Sequence, residues 1–409
     1  MFRRKGKKQD KRGKSRFRKM VDWLHLWLGL ASGIIIVIIC ITGCLYVFQK
    51  EINEMVYRRQ IFVTPAQTAT LPVSQLRATA QAHLGADKPV NYIITYAAAD
   101  KAWEFMAYKY NPAGNTYFDI CEYSETAYVN PYTGAVTGVV DYKHNFFNIV
   151  KFMHWNLLLN DRIGQPIIGW STFIFVILLI TGLIMWWPKK WTKATREQSF
   201  KIKWKASWKR VNYDLHNVLG FYAMVIALVL ALTGMVWSFT WFQATVYVVA
   251  ARTTQAPDRD DKASAVVTQG VNQLQVLDES INEARRILPD MKRLTIRTAA
   301  TPTGVNTITG YHRAETYYAP DALQFDQYTG KLLQRRNDKH KNAGERLIEM
   351  NYDIHVGAIA GIWGKIIAFI VSLICGSLPV TGFYVWWNKK RKTKKKIILT
   401  NHAAEITSL

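Results

Sequence analysis

From Val21 to Phe48 the chain runs through mainly apolar residues, with one histidine, His25, about one turn inside the run. The run is long enough to cross a hydrocarbon core of ~30 Å at ~1.5 Å rise per residue, so it predicts a membrane-spanning helix. Ionisable groups inside such spans are costly and usually mark function.

The same pattern recurs further along. Leu-His-x-x-Leu-Gly surrounds His25 and again His216, and in both places a Thr-Gly pair follows, with Thr42 as far beyond His25 as Thr233 is beyond His216. Two further apolar segments match each other: one begins near Pro166 and carries Thr181-Gly182 and Trp186-Trp187, the other begins near Val356 and carries Thr381-Gly382 and Trp386-Trp387. His154 precedes Thr181, and His355 precedes Thr381, at intervals that differ by a single position. The chain therefore reads as an internal duplication, with one half about Asp22 to Lys190 and the other about Tyr213 to Lys390.

A net charge of +24 raises the question of nucleic acid, but its distribution answers against it. Met1 to Met20, Pro188 to Arg210 and Asn388 to Leu409 together hold 27 basic and 3 acidic residues, leaving 26 of each sign for the rest. The excess flanks the apolar spans, which is the positive-inside pattern. It predicts both termini and the middle loop in the cytoplasm, two long loops outside, and a basic tail held at anionic membrane lipids. The first span is about twice the length of a signal-peptide core and ends without a small-residue cleavage site, so it reads as a retained anchor. Cys40, Cys44 and Cys375 lie in spans and Cys121 stands alone outside, which implies no disulfide framework; the lack of Cys-x-x-Cys-His excludes covalent haem attachment.

These signals predict an α-helical membrane protein. It consists of a basic tail (1–20), a first span (21–50), an external domain (51–150), an outer helix with the second span (151–188), a basic loop (189–211), a third span (212–244), a second external domain (245–344), a fourth span (345–388) and a basic tail (389–409). Each external domain reads as a small α+β module with a helix on an antiparallel sheet. In the first, a helix over Val73–His83 precedes strands at Val90–Tyr96, Ala102–Tyr110, Tyr117–Glu122, Ala127–Asn130 and Ala135–Tyr142. In the second, the helix is Glu279–Ile287, and Tyr-Thr-Gly turns occur in both domains, at Thr133 and Thr329. The polar stretch Asn160 to Pro166 predicts a kink or break after His154, whereas the corresponding stretch after His355 reads as smooth helix. Gly29 and Gly33, like Gly357 and Gly361, have the GxxxG spacing of close helix packing; near His25 the small residues would also let a flat cofactor approach. The Trp pairs read as interfacial anchors.

With this topology His25 and His216 share one depth near the cytoplasmic side, and His154 and His355 share another near the outer side. Paired histidines in a four-helix bundle suit bis-imidazole ligation of b-type haem, a six-coordinate arrangement that favours electron transfer over oxygen binding. The other histidines lie in external domains or the tail; His144, a little before His154 in the chain, is a competing outer ligand. Asp22, Asp214 and Asp353 at the span edges are candidates for capping a helix or orienting a histidine. No HExxH, GxSxG or GxGxxG is present, so hydrolytic and dinucleotide chemistry find no support. A transport path is disfavoured, because the spans carry no internal carboxylates and read as unbroken.

In the order and duplication of these motifs the chain resembles the PepSY-associated transmembrane family, to which inner-membrane ferric-siderophore reductases of Gram-negative bacteria belong. The resemblance covers nearly the whole chain, through His25, His216, the four Thr-Gly positions and the two Tyr-Thr-Gly turns. It implies four membrane helices, two PepSY-like external domains, and two b-type haems on His25, His154, His216 and His355 that pass electrons outward to a ferric-siderophore or other Fe(III) chelate. The electron donor would be a separate cytoplasmic reductase or a membrane quinol, since no flavin or nicotinamide site is evident. A non-redox PepSY-type binding or sensory protein is the alternative.

Overall fold

In the computed structural model, residues 15–257, 262–267 and 270–407 are described, the last sixteen of them by backbone only. The predicted lipid-binding tail lies largely outside the described residues. Among the described residues, four helices are long and apolar enough to span a membrane: Arg16–Tyr46, Asp161–Trp186, Trp208–Ser238 and Ala358–Arg391.

In chain order the elements are α1 (Arg16–Tyr46), α2 (Gln49–Val56), α3 (Arg58–Ile61), α4 (Val73–Leu84), β1 (Tyr92–Tyr96), β2 (Trp103–Tyr110), α5 (Tyr117–Ile120), β3 (Cys121–Val129), β4 (Val136–Asp141), α6 (Phe146–Asn156) and α7 (Asp161–Trp186). The chain continues through α8 (Lys193–Phe200), α9 (Trp208–Asp214), a π-turn (Leu215–Leu219), α10 (Gly220–Ser238), α11 (Thr240–Ala251) and α12 (Gln273–Ile287). It ends with β5 (Arg293–Arg297), β6 (Val305–Tyr311), β7 (Asp321–Asp326), β8 (Leu332–Arg336), α13 (Ala343–His355) and α14 (Gly361–Thr407). Two compact units result: one from Met1–Val37, Ser171–Leu228 and Ile374–Leu409, the other from Ile38–Trp170 and Val229–Leu373.

Within the second unit the strands form one eight-stranded antiparallel sheet, in the order β4-β3-β2-β1-β5-β6-β7-β8. The two loop regions thus do not carry separate sheets, as expected from sequence; β1 pairs with β5 from Tyr92 opposite Arg297 to Tyr96 opposite Arg293. The pairing hides an edge strand of each half. Alternation then decides the faces. Ala127, Phe105, Ile93, Ile296, Ile308 and Leu323 are register partners across six strands, and all are fully buried. Leu76 and Ala80 of α4 and Leu277, Ile281 and Ala284 of α12 cover this row. Each large side chain so buried contributes about 1.5–3 kcal/mol.

Two local expectations fail for identifiable reasons. Tyr117–Ile120 is a helical turn, not a strand, because Thr116 and Asp119 form a capping box; the strand beyond it runs unbroken from Cys121 to Val129. In both halves the histidine-bearing segment is a separate helix. After α6 the chain turns through Leu157 and Leu158, both with positive φ (59° and 58°), and after α13 it turns at Gly357 (77°) and Gly361 (63°). The second break was not expected, and these two glycines serve it instead of helix packing. A Cβ at Gly357 would strike the Gly364 carbonyl, so the reversal is open only to glycine.

The other sheet face is polar and aromatic. There Tyr96 donates to Glu104 Oε1 at 2.6 Å, and Arg293, 6% exposed, lies 4.2 Å from the Tyr311 ring and 4.4 Å from that of Tyr317. Burial raises the Glu104 carboxyl above its ordinary value, outweighing the opposing influence of the Tyr96 hydroxyl and Arg293. A raised carboxyl binds its proton more tightly folded than unfolded. Its stabilising contribution is therefore complete below the ordinary value of 4.5 and is lost as pH rises through the folded value. Relative to Glu104→Gln, the wild type should lose melting temperature as pH rises from below the ordinary value of 4.5 through the folded one. A difference between the two that stays constant with pH would contradict this.

Candidate functional site

The geometry repeats four times. His25 Nδ1 lies 2.9 Å from Thr181 Oγ1, His154 Nδ1 3.1 Å from Thr42 Oγ1, His216 Nδ1 3.0 Å from Thr381 Oγ1 and His355 Nδ1 2.9 Å from Thr233 Oγ1. Each threonine hydroxyl donates to the carbonyl one turn back in its own helix, at Ile177, Ile38, Ser377 and Val229. The hydroxyl proton is thereby committed, so the hydroxyl oxygen can only accept from the imidazole. His154 and His216 also meet backbone carbonyls, of Ile39 at 2.9 Å and Leu378 at 3.1 Å, which are acceptors only. Every Nδ1 therefore carries the proton, and every Nε2 presents a lone pair. That is the state a metal-ligating histidine requires, with its other ring nitrogen held by a neighbouring group.

The threonines and histidines are exchanged between consecutive spans: α1 supplies His25 and Thr42, the α6–α7 segment His154 and Thr181. The later half does the same with His216 and Thr233, and with His355 and Thr381. Beside three of the threonines the glycine makes room for the ring. A Cβ at Gly43, Gly182 or Gly382 would lie 3.4, 3.3 or 3.0 Å from Cε1 of His154, His25 or His216. In the sequence the Thr-Gly pairs stand out only as markers of repetition; in the structure they position the histidines. The constant interval from His25 to Thr42 and from His216 to Thr233 was the available signal, but it does not join a histidine to the threonine it meets.

In the first unit the rings of His25 and His216 lie 6.3 Å apart, nearly perpendicular at 86°. In the second, those of His154 and His355 lie 6.0 Å apart at 66°. Two metal–imidazole bonds of about 2.0 Å, plus about 1.1 Å from each nitrogen to its ring centroid, span ~6 Å, so each pair is spaced to share one metal atom. Among the described residues no cluster of three or more His, Cys, Asp and Glu side chains could hold a metal ion. Two imidazoles without further protein donors fit a metal that brings four in-plane ligands of its own, as haem iron does.

His216 sits in the π-turn between α9 and α10, whereas His25 lies in regular helix. Such turns recur at functional sites because the extra residue re-aims a side chain. His144 stands apart: its Nδ1 is 2.7 Å from Asp141 Oδ2, its side chain is exposed, and it approaches neither pair. Two of the span-edge acids do not orient histidines. Asp214 accepts from Arg210 Nε and the Lys203 amide, and Asp353 accepts from the amides of Tyr317 and Tyr318. Burial raises the Asp353 carboxyl despite those bonds. Gly29 faces Leu178 and Gly33 faces Pro379, in keeping with close helix packing. Trp186 is more than an interfacial anchor: it is buried, stacked 3.8 Å from Phe221 at 7°, and donates to the Ser199 carbonyl.

Replacing Thr181 or Thr381 with the isosteric valine leaves the imidazole proton without its hydroxyl acceptor. A haem held by the His25–His216 pair should then bind about 10- to 100-fold more weakly, read by its transfer to apomyoglobin; unchanged retention would contradict the positioning role.

No curated protein matches the chain. The family model described as the PepSY-associated TM region matches residues 23–389. The protein is a membrane protein, and it belongs to that family.

Proposed function

We propose that the protein is a b-haem electron carrier of the bacterial inner membrane that reduces ferric-siderophores on the periplasmic side. His25 and His216 would hold one haem and His154 and His355 a second, each iron receiving two Nε2 lone pairs. When bound, a haem so ligated supplies a six-coordinate centre that exchanges single electrons without opening a position for oxygen. The observation that carries this reading is the fourfold His–Thr arrangement in two pairs. The threonines fix the tautomer, and beside three of them the glycines admit the rings.

The basic flanks support cytoplasmic termini, with the sheet in the periplasm. The repeated element order, a helix followed by four strands in each loop region, supports a duplicated chain with two PepSY-like domains. The electron donor would be a cytoplasmic reductase or membrane quinol. Reduction would release iron because siderophores hold Fe(III) through hard oxygen donors that bind Fe(II) far more weakly.

The test is reconstitution in vesicles loaded with reductant, with Fe(III)–desferrioxamine outside together with an Fe(II) indicator. Wild type should produce external Fe(II), and His355→Ala should not. Equal signals from both, or no signal above protein-free vesicles, would contradict the proposal.

A further inference from the structure

The second unit holds a continuous run of aromatic rings that starts at His355 and ends at a partly exposed side chain. Trp237 lies 5.2 Å from His355 at 79°, Tyr352 6.4 Å from Trp237, and Tyr317 5.2 Å from Tyr352 at 83°. Tyr311 on the polar sheet face follows, 5.9 Å from Tyr317. Tyr317 is 49% exposed. Its position is nevertheless held from two sides. Asp353, fully buried and close to His355 in the chain, accepts from the amides of Tyr317 and Tyr318 at 2.9 and 2.8 Å. Arg293 lies against the rings of Tyr311 and Tyr317 and donates to the carbonyls of Ala314 and Thr316. An exposed tyrosine on an irregular segment does not need two buried charged groups to hold it unless its position matters.

We propose that Trp237, Tyr352 and Tyr317 form the electronic exit from the outer histidine pair, and that an Fe(III) chelate docks against Tyr317 beside Tyr311. The inference rests on the haem reading above and names the place where that reading delivers its electron. One electron leaves the reduced carrier at the outer pair, and one chelated Fe(III) becomes Fe(II). No bond forms or breaks in the protein, no proton need move, and the rings stay closed-shell throughout. Their role is to replace solvent-filled gaps with π-contacts, through which electronic coupling decays less steeply with distance. Trp237 and Tyr352 are positioning residues that act through the ring contacts, whereas Tyr317 is the residue that meets the chelate.

The test uses the full-length protein with Tyr317→Leu, Tyr317→Phe and Tyr352→Leu. Two readouts are taken. Titration with Ga(III)–desferrioxamine, a redox-inert probe, reports docking whether or not haem is bound, and Tyr317→Leu should weaken it about tenfold. In stopped-flow absorbance, oxidation of the dithionite-reduced protein by Fe(III)–desferrioxamine should slow on the order of tenfold in both Leu variants, with haem content and spectrum unchanged. Tyr317→Phe, which keeps the ring and loses only the hydroxyl, should retain the wild-type rate. A coloured protein whose Leu variants react at the wild-type rate overturns the exit while leaving the haem reading intact. A colourless wild type overturns both, and unaltered Ga(III) binding in Tyr317→Leu overturns the docking site.

Discussion

On the proposed haem reading, alanine at position 216 should strip the protein of about half its haem, because the His25 site is left with a single protein ligand, while the spectrum of the other haem persists. His25→Ala should lose the same half, and His154→Ala and His355→Ala the other. The pairing follows from the ring separations of 6.3 Å for His25–His216 and 6.0 Å for His154–His355. The loss should be cooperative within a pair, so that His25→Ala with His216→Ala removes no more haem than either change alone. His144→Ala should leave the haem content unchanged, since His144 is bonded to Asp141 away from both pairs. Pyridine haemochrome titration of each purified variant reads the outcome directly. Loss of haem on changing His144, or full retention on changing His216, would contradict the assignment.

Valine at position 382 should be nearly as damaging, although it alters no ligand. A Cβ at Gly382 lies 3.0 Å from His216 Cε1 before the two methyl groups of valine are added. The ring must then turn away from Thr381 and Leu378, both of which hold its Nδ1 proton. Loss of that constraint, together with steric displacement of the ligand, should lower haem retention at this pair by about 100-fold. Gly29→Ala is the control, with its Cβ 3.7 Å from Leu178, an ordinary contact. That substitution should keep full haem and gain about 0.5–1 kcal/mol of helix stability. If Gly382→Val binds haem as well as Gly29→Ala, the glycine is not there for the histidine.

Much of this was legible in the residues. Apolar length marked the spans, and the recurring motifs singled out four histidines from nine. The π-turn that carries His216 was not legible, because Tyr213 to Leu219 reads as uninterrupted helix. Nor was the break after His355, because Gly357 and Gly361 fit a packing motif as well as they fit a chain reversal, and only the positive φ angles distinguish the two. The single sheet was also hidden. β1 and β5 carry the same alternation whether their edges face water or each other, and strand pairing between segments from opposite halves of the chain leaves no local trace. The threonine roles stayed out of reach for the same reason, since each hydroxyl meets a histidine from another helix.

The measurement that bears most directly on the account is the haem stoichiometry of the wild-type protein, purified in detergent after expression with added haem. A reduced-minus-oxidised spectrum of b-type, with about two haems per chain by pyridine haemochrome, is the expected result. A colourless protein, or one haem that survives every histidine substitution, would contradict it.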